Sequence, residues 1–137
     1  MTRINVVSPS ELSDAWLLAE YRELPRVILQ QVNTADAPKK YLLGAGHVKW
    51  AKKHSSFIVA RYVELCREMK SRGFKVNFSC DNLTDYHLGH TYVKDCNFYE
   101  ISAEDVALNR QRLIDRYKSN PNAHRWTYRN KPSYLEV

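Results

Sequence analysis

Apolar residues recurring at helical spacing over residues 55–72 constrain the fold of this chain more than any other feature. Phe57, Ile58, Tyr62, Leu65, Cys66 and Met69 fall on one face of a 3.6-residue helix. Gly73 supplies the stop, and Lys70 and Arg72 complement the helix dipole before it. A second such segment opens at Ser8-Pro9-Ser10-Glu11, which reads as a capping box with proline at the first helical position. Leu12, Ala15, Trp16 and Ala19 follow in a stripe, and Glu23 continues it, so a carboxylate points the same way as the apolar face. Pro25 interrupts, and residues 26–29 can continue the helix beyond a kink. A third helix starts near Ser102, with Asp105 as the reciprocal acid of a weaker capping box. Val106, Leu113, Ile114 and Tyr117 form its stripe, Arg110, Arg112 and Arg116 its basic flank, and Asn120-Pro121-Asn122 its end.

The remaining segments read differently. Residues 34–54 look irregular; Gly44-Ala45-Gly46-His47 is suited to bringing backbone close to something, and Lys49, Lys52, Lys53 and His54 form a short basic run. Residues 74–97 are the least readable, although residues 75–78 alternate like a short strand. Residues 125–134 mix cations and rings without a period. Only four glycines and five prolines suit helices better than a sandwich of tight turns. The expected fold is therefore all-α: a single compact domain over residues 1–137, with three main helices, long irregular loops and a basic aromatic C-terminal tail. The length is sufficient for an apolar core without disulfides or a structural metal. No apolar run approaches the roughly 18–20 residues of a membrane span, and no signal peptide is visible. Cys66, Cys80 and Cys96 are odd in number and irregularly spaced, which points to free thiols in a reducing, intracellular setting.

Charge narrows the function. Twenty-one Lys+Arg against fifteen Asp+Glu give +6, and aromatics reach 12%. Cations for phosphates and rings for bases suit nucleic acid, although most of the rings can equally be core. The most suggestive cluster is near the start. Removal of Met1, which a small second residue permits, makes Thr2 the N-terminus. An α-amine has a pKa near 7.7–8.0, so part of it is neutral and nucleophilic at physiological pH. Arg3, Arg22 and Arg26 surround Glu23 in sequence. A carboxylate there can steady an oxocarbenium cation, protonate a ring oxygen or remove a proton for β-elimination. The structural alternative is an ordinary ion-paired surface helix. Cys80, His87, His90 and Cys96 lack the close cysteine pair of a zinc site.

Met1-Thr2-Arg3-Ile4-Asn5, then Leu17-Leu18-Ala19-Glu20-Tyr21-Arg22-Glu23-Leu24-Pro25-Arg26-Val27, then Leu43-Gly44-Ala45-Gly46-His47-Val48 closely resemble the pyrimidine-dimer DNA glycosylases of T-even phages, historically called endonuclease V. The resemblance is strong over about the first 30 residues and at the Gly-Ala-Gly-His segment. It is looser over residues 61–74, weaker at Arg112, Leu113 and Arg116, and not secure over residues 74–97. It implies three helices packed without a regular bundle, and a glycosylase that is also an abasic-site lyase. By that resemblance Thr2 is the nucleophile and Glu23 the catalytic acid. Arg3, Arg22 and Arg26 bind phosphates, and Arg112 and Arg116 track the backbone. No metal or organic cofactor is implied. The partner is double-stranded DNA carrying a lesion or modified base, acted on by a monomer in the nucleoid of a bacterial host.

Other residues carry two readings. His47 can contact DNA or bond to backbone. The run from Lys49 can be a phosphate patch or a solvated face, with the resemblance favouring the patch. Trp126 and Tyr128 can stack on bases or pin the tail, and Arg129 beside them is expected on DNA. Three departures from the family pattern matter. Trp16 stands where the family has His. Trp126-Thr127-Tyr128-Arg129-Asn130 replaces a Trp-Tyr-Lys-Tyr-Tyr run linked to dimer recognition. A retained Met1 would bury the nucleophile in an amide. Two alternatives follow: a relative retuned to another modified base, or a non-catalytic DNA binder on the same scaffold.

Overall fold

Ser13, and not Ser8, starts the first long helix. In the computed structural model, which describes residues 4–77, 82–84, 87, 89 and 91–136, Ser8 caps only a short 3-10 turn, Pro9–Glu11. The expected box lacks its second half: the Glu11 carboxylate pairs with Arg110 at 3.0 Å. Helix α1 (Asp14–Leu29) then opens with Ser13 Oγ accepting from the Trp16 amide at 3.2 Å. It runs through Pro25 to Leu29, as the sequence suggested. Its core face is Leu17, Glu20, Tyr21, Leu24, Val27 and Ile28. The expected stripe is thus corrected: Ala15 and Ala19 are exposed, and Trp16 and Glu23 are half-buried. Two faces of α1 are occupied, one by the core and one by a pocket described below.

Helix α2 (His47–Lys53) lies within the stretch expected to be irregular. Gly46, at φ +89°, turns the chain into it; a Cβ there would meet the Pro38 ring at 3.0 Å. Helix α3 (Ser55–Ser71) matches its expectation, with Ile58, Tyr62, Leu65, Cys66 and Met69 buried and Gly73 at φ +84° past its end. Helix α4 (Ala103–Ser119) carries the expected capping box, Ser102 Oγ accepting from Asp105 N at 3.1 Å and Asp105 Oδ2 from Ser102 N at 3.0 Å. Residues 75–77 are irregular and Phe78 lies outside the described residues; among these there is no strand, only an isolated bridge between His54 and Cys96. No helix among them is long and apolar enough to cross a membrane.

The core forms where α1 and α3 cross, with Tyr21 stacked on Tyr62 at 5.5 Å, and α2 packs against both. Many of the aromatic residues are structural. Trp50 is fully buried; His47 stacks on it, and Tyr41, His54, Phe57 and Tyr99 meet it edge-on or obliquely. Burial and Asp105 push the Tyr99 phenol up to about 12, so it remains a donor to that carboxylate, at 2.7 Å.

The tail is docked. Asp14 N donates to Arg125 O at 2.7 Å, Trp126 Nε1 donates to Glu11 O at 3.0 Å, and Leu135 is buried. The Asp14 carboxylate accepts from Thr127 Oγ1 at 2.6 Å, Thr127 N at 3.1 Å and Arg72 at 3.0 Å. Burial alone would raise its pKa, but the Thr127 and Arg72 contacts outweigh it and hold it below the ordinary 3.8. Its stabilising contribution is therefore complete above pH 3.8 and is lost as pH falls below that through the depressed native value. We expect Asp14→Asn to weaken tail docking at neutral pH and to remove this acid-dependent component, read from tryptophan fluorescence against pH.

Candidate active site

Residues 4–7 are held by four side chains from three regions of the fold. His47, 1% exposed, accepts from Ile4 N through Nε2 at 2.8 Å and donates Nδ1–H to Leu42 O at 2.8 Å. Both bonds require the neutral ring with its proton on Nδ1. Tyr41 donates to Ile4 O at 2.9 Å. Asn109 Oδ1 accepts from Val6 N at 2.7 Å and from Val7 N at 3.1 Å. Arg61 donates to Val7 O. An irregular segment thus has five of its backbone groups, Ile4 N and O, Val6 N, and Val7 N and O, bonded to side chains.

Beneath this segment lies a buried polar network. Arg61 grips Glu20 through Nε at 2.8 Å and a second nitrogen at 3.2 Å, and both side chains are at most 3% exposed. Glu20 Oε1 also accepts from Asn5 Nδ2 at 2.7 Å, and Asn109 Nδ2 donates to Asn5 Oδ1 at 2.8 Å. Charge is paired and each amide is used on both sides, which is what burial of such groups demands.

The network forms one side of a pocket of about 550 Å³. Asn5 and, from α1, Trp16, Ala19, Glu20 and Glu23 line one wall. Arg112, Leu113 and Arg116 of α4 and the connection beyond it, including His124, line the other. Glu23 is 31% exposed and bonded to Arg26 at 2.9 Å. Trp16 packs against His124, with ring centroids 4.3 Å apart, and meets Trp126 edge-on at 6.1 Å. The stripe Trp16, Ala19, Glu23 therefore faces this pocket, and the expected inward direction of Glu23 has its cause here. A partly exposed carboxylate among cations, in a cleft of ligand size, is suited to acid–base work on an anionic substrate.

A family model described as pyrimidine dimer DNA glycosylase matches residues 1–82. The chain belongs to the pyrimidine dimer DNA glycosylase family. The match includes the anchored N-terminal segment, Glu20, Glu23 and Arg61, and makes DNA the substrate class. The pocket's opposite wall, with Arg112, Arg116 and His124, lies beyond it.

The remaining expected site residues divide clearly. Thr2 and Arg3 lie outside the described residues, as do Cys80 and His90. Arg22, Arg26 and Arg116 are exposed and Arg112 half-buried. Of the two readings of His47, the backbone one is seen: it is buried, with its ring nitrogens bonded to Ile4 N and Leu42 O, which makes it a positioning residue. The basic run is largely consumed by local contacts: Lys49 pairs with Asp36 at 3.0 Å, Lys53 with Asp95 at 3.8 Å, and buried Lys52 caps the Ile28 carbonyl at the end of α1. Trp126 pins the tail, and Arg129 pairs with Glu68 at 3.0 Å. His87 sits 2.9 Å from Ser55 Oγ and 3.6 Å from Cys96 Sγ. Asn5, Glu20, Arg61, Asn109 and His124 escaped the sequence reading. For Glu20 and Asn109 a signal existed, since each lies four residues before a core leucine, Leu24 and Leu113, on the same helix face.

Proposed function

We propose that this chain excises a damaged base from double-stranded DNA and then cuts the strand, using the α-amine of Thr2 after Met1 is removed. The observation that carries this reading is the anchoring of residues 4–7 beside Glu23: Asn5 lines the same pocket as the carboxylate. Asn5 is three chain steps from Thr2, so the amine is within about 11 Å of Asn5 by chain length alone. Anchoring lowers the entropy cost of presenting that amine.

The chemistry balances without a cofactor. The neutral amine attacks C1′, a nitrogen–carbon bond forms, and the glycosidic bond breaks with its electrons leaving on the base. The attacking nitrogen, now positively charged, gives up one proton, which passes to O4′ as the C1′–O4′ bond breaks, and an iminium remains. Glu23 takes the C2′ proton; the freed electron pair forms an enamine, which expels the 3′-phosphate as the C3′–O bond breaks. Arg22, Arg26, Arg112 and Arg116 hold phosphates around the extruded nucleotide.

The change at Trp16 and the altered tail favour a second reading of specificity within the same chemistry. Trp16, where the family pattern has His, forms one pocket wall with His124, so the wall facing the base is changed and a base other than a pyrimidine dimer can be the one it accepts. Nicking of ultraviolet-irradiated plasmid against plasmid carrying other modified bases decides between them.

Phosphate contact by α1 is testable separately. Arg22→Gln is expected to weaken binding across all sequences and to reduce the slope of log K against log salt by about 1. An unchanged slope would take Arg22 off the DNA.

A further inference from the structure

His124 follows the 3-10 turn Pro121–Ala123, outside the residues that match the family, yet its ring lines the pocket with Glu23, Arg112 and Arg116. Its tautomer follows from its surroundings. Ser13 is fully buried, and its Oγ accepts from the Trp16 amide at 3.2 Å. The Ser13 hydroxyl proton therefore needs an acceptor, and His124 Nδ1 lies 2.8 Å away. With Ser13 donating to Nδ1, the neutral ring carries its own proton on Nε2. Burial and the nearby Arg116 cation both lower the ring's pKa below the ordinary histidine value, which keeps it neutral. The ring is clamped against Trp16, and Nε2 has no hydrogen-bond partner among the described residues.

We propose that His124 is a further active-site residue, whose Nε2–H donates a hydrogen bond to a ring carbonyl oxygen of the extruded base as that base departs. This deepens the function proposed above and rests on it. When the glycosidic bond breaks, its electron pair stays on the base nitrogen and spreads onto the adjacent carbonyl oxygen. A fixed neutral donor stabilises that charge without transferring a proton. A base with a carbonyl beside its glycosidic nitrogen, as every pyrimidine has, is the class this donor fits.

Two amide variants separate this role from packing. His124→Asn can keep the Ser13 contact but does not reach the Nε2 position. His124→Gln places an amide N–H near the Nε2 position and gives up Ser13. Each is assayed for base excision from ultraviolet-irradiated duplex and for borohydride trapping on a preformed abasic duplex, where no base remains to leave. The expected result is an excision rate about 100-fold lower for Asn, recovery to within about 10-fold of wild type for Gln, and trapping by both within about threefold of wild type. Excision by Asn at the wild-type rate overturns the proposal, as does equal loss of excision and trapping in both variants, which marks a structural role. A wild-type protein that traps abasic DNA but excises nothing from irradiated DNA or from duplexes carrying other modified pyrimidines overturns the pyrimidine class and this inference with it. A wild type that traps nothing overturns the amine mechanism instead.

Discussion

Glu23→Gln is expected to slow strand cleavage at an abasic site by about 10²–10⁴-fold while DNA affinity stays within about threefold. The amide is the same size, and its oxygen can still accept from Arg26, which the native carboxylate does at 2.9 Å. What it cannot do is take the C2′ proton or supply a negative charge to a developing cation. The change should therefore fall on the chemical step and leave ground-state binding nearly intact. Single-turnover nicking of an abasic duplex reads the first effect and fluorescence anisotropy the second. Cleavage at the native rate would remove Glu23 from the mechanism; loss of affinity in parallel would make it a binding residue.

The largest effect on stability is expected at the buried pair beneath the N-terminal segment. Glu20→Ala leaves Arg61 charged at 3% exposure and Asn5 without its acceptor, at a cost of about 3–5 kcal/mol. That is a large share of the roughly 5–15 kcal/mol that holds a domain folded. Urea denaturation should place the midpoint well below wild type, with an unchanged m-value if unfolding stays two-state. Replacing both partners, Glu20→Leu with Arg61→Met, should recover much of the loss, since two apolar side chains bury cheaply where one orphaned charge does not. The folded double variant should nonetheless be impaired, because the Val7 carbonyl and Asn5 amide lose their anchors. A misplaced nucleophile costs about 10–100-fold in rate. A double variant that is stable and fully active would show that anchoring of residues 4–7 does not matter to the reaction.

Where the sequence was legible, local signals agreed with one another. Residues 55–72 carried a stripe, a stop and basic residues at the C-terminal end, and α3 lies within one residue of that reading. The Ser102 and Asp105 box placed the start of α4. At α1 the sequence pointed to Ser8, whereas Ser13 caps the helix and the Glu11 carboxylate is engaged by Arg110, a contact 99 residues distant that no local rule contains. Helix α2 was missed for its length: seven residues after two glycines show less than two full turns of periodicity.

The site divides along the same line. Glu23 stood out because a carboxylate on an apolar stripe is anomalous, and the arginines around it stood out by charge. Asn5 is held by Glu20 and Asn109, and Glu20 in turn by Arg61, and only the fold brings these positions together. For His47 the sequence left two readings open, because a histidine after two glycines suits a ligand-binding loop as well as a backbone anchor; the fold decides, since its two nitrogens are taken by Ile4 and Leu42.

Borohydride trapping reads out whether the amine of Thr2 does the chemistry, as proposed. The protein, with loss of Met1 verified by mass, is incubated with an abasic duplex and reduced; the adduct is then digested and mapped. One covalent adduct is expected, on the N-terminal threonine, and none when Met1 is retained. An adduct on a lysine, or none at all from protein that lacks Met1, would contradict the proposal.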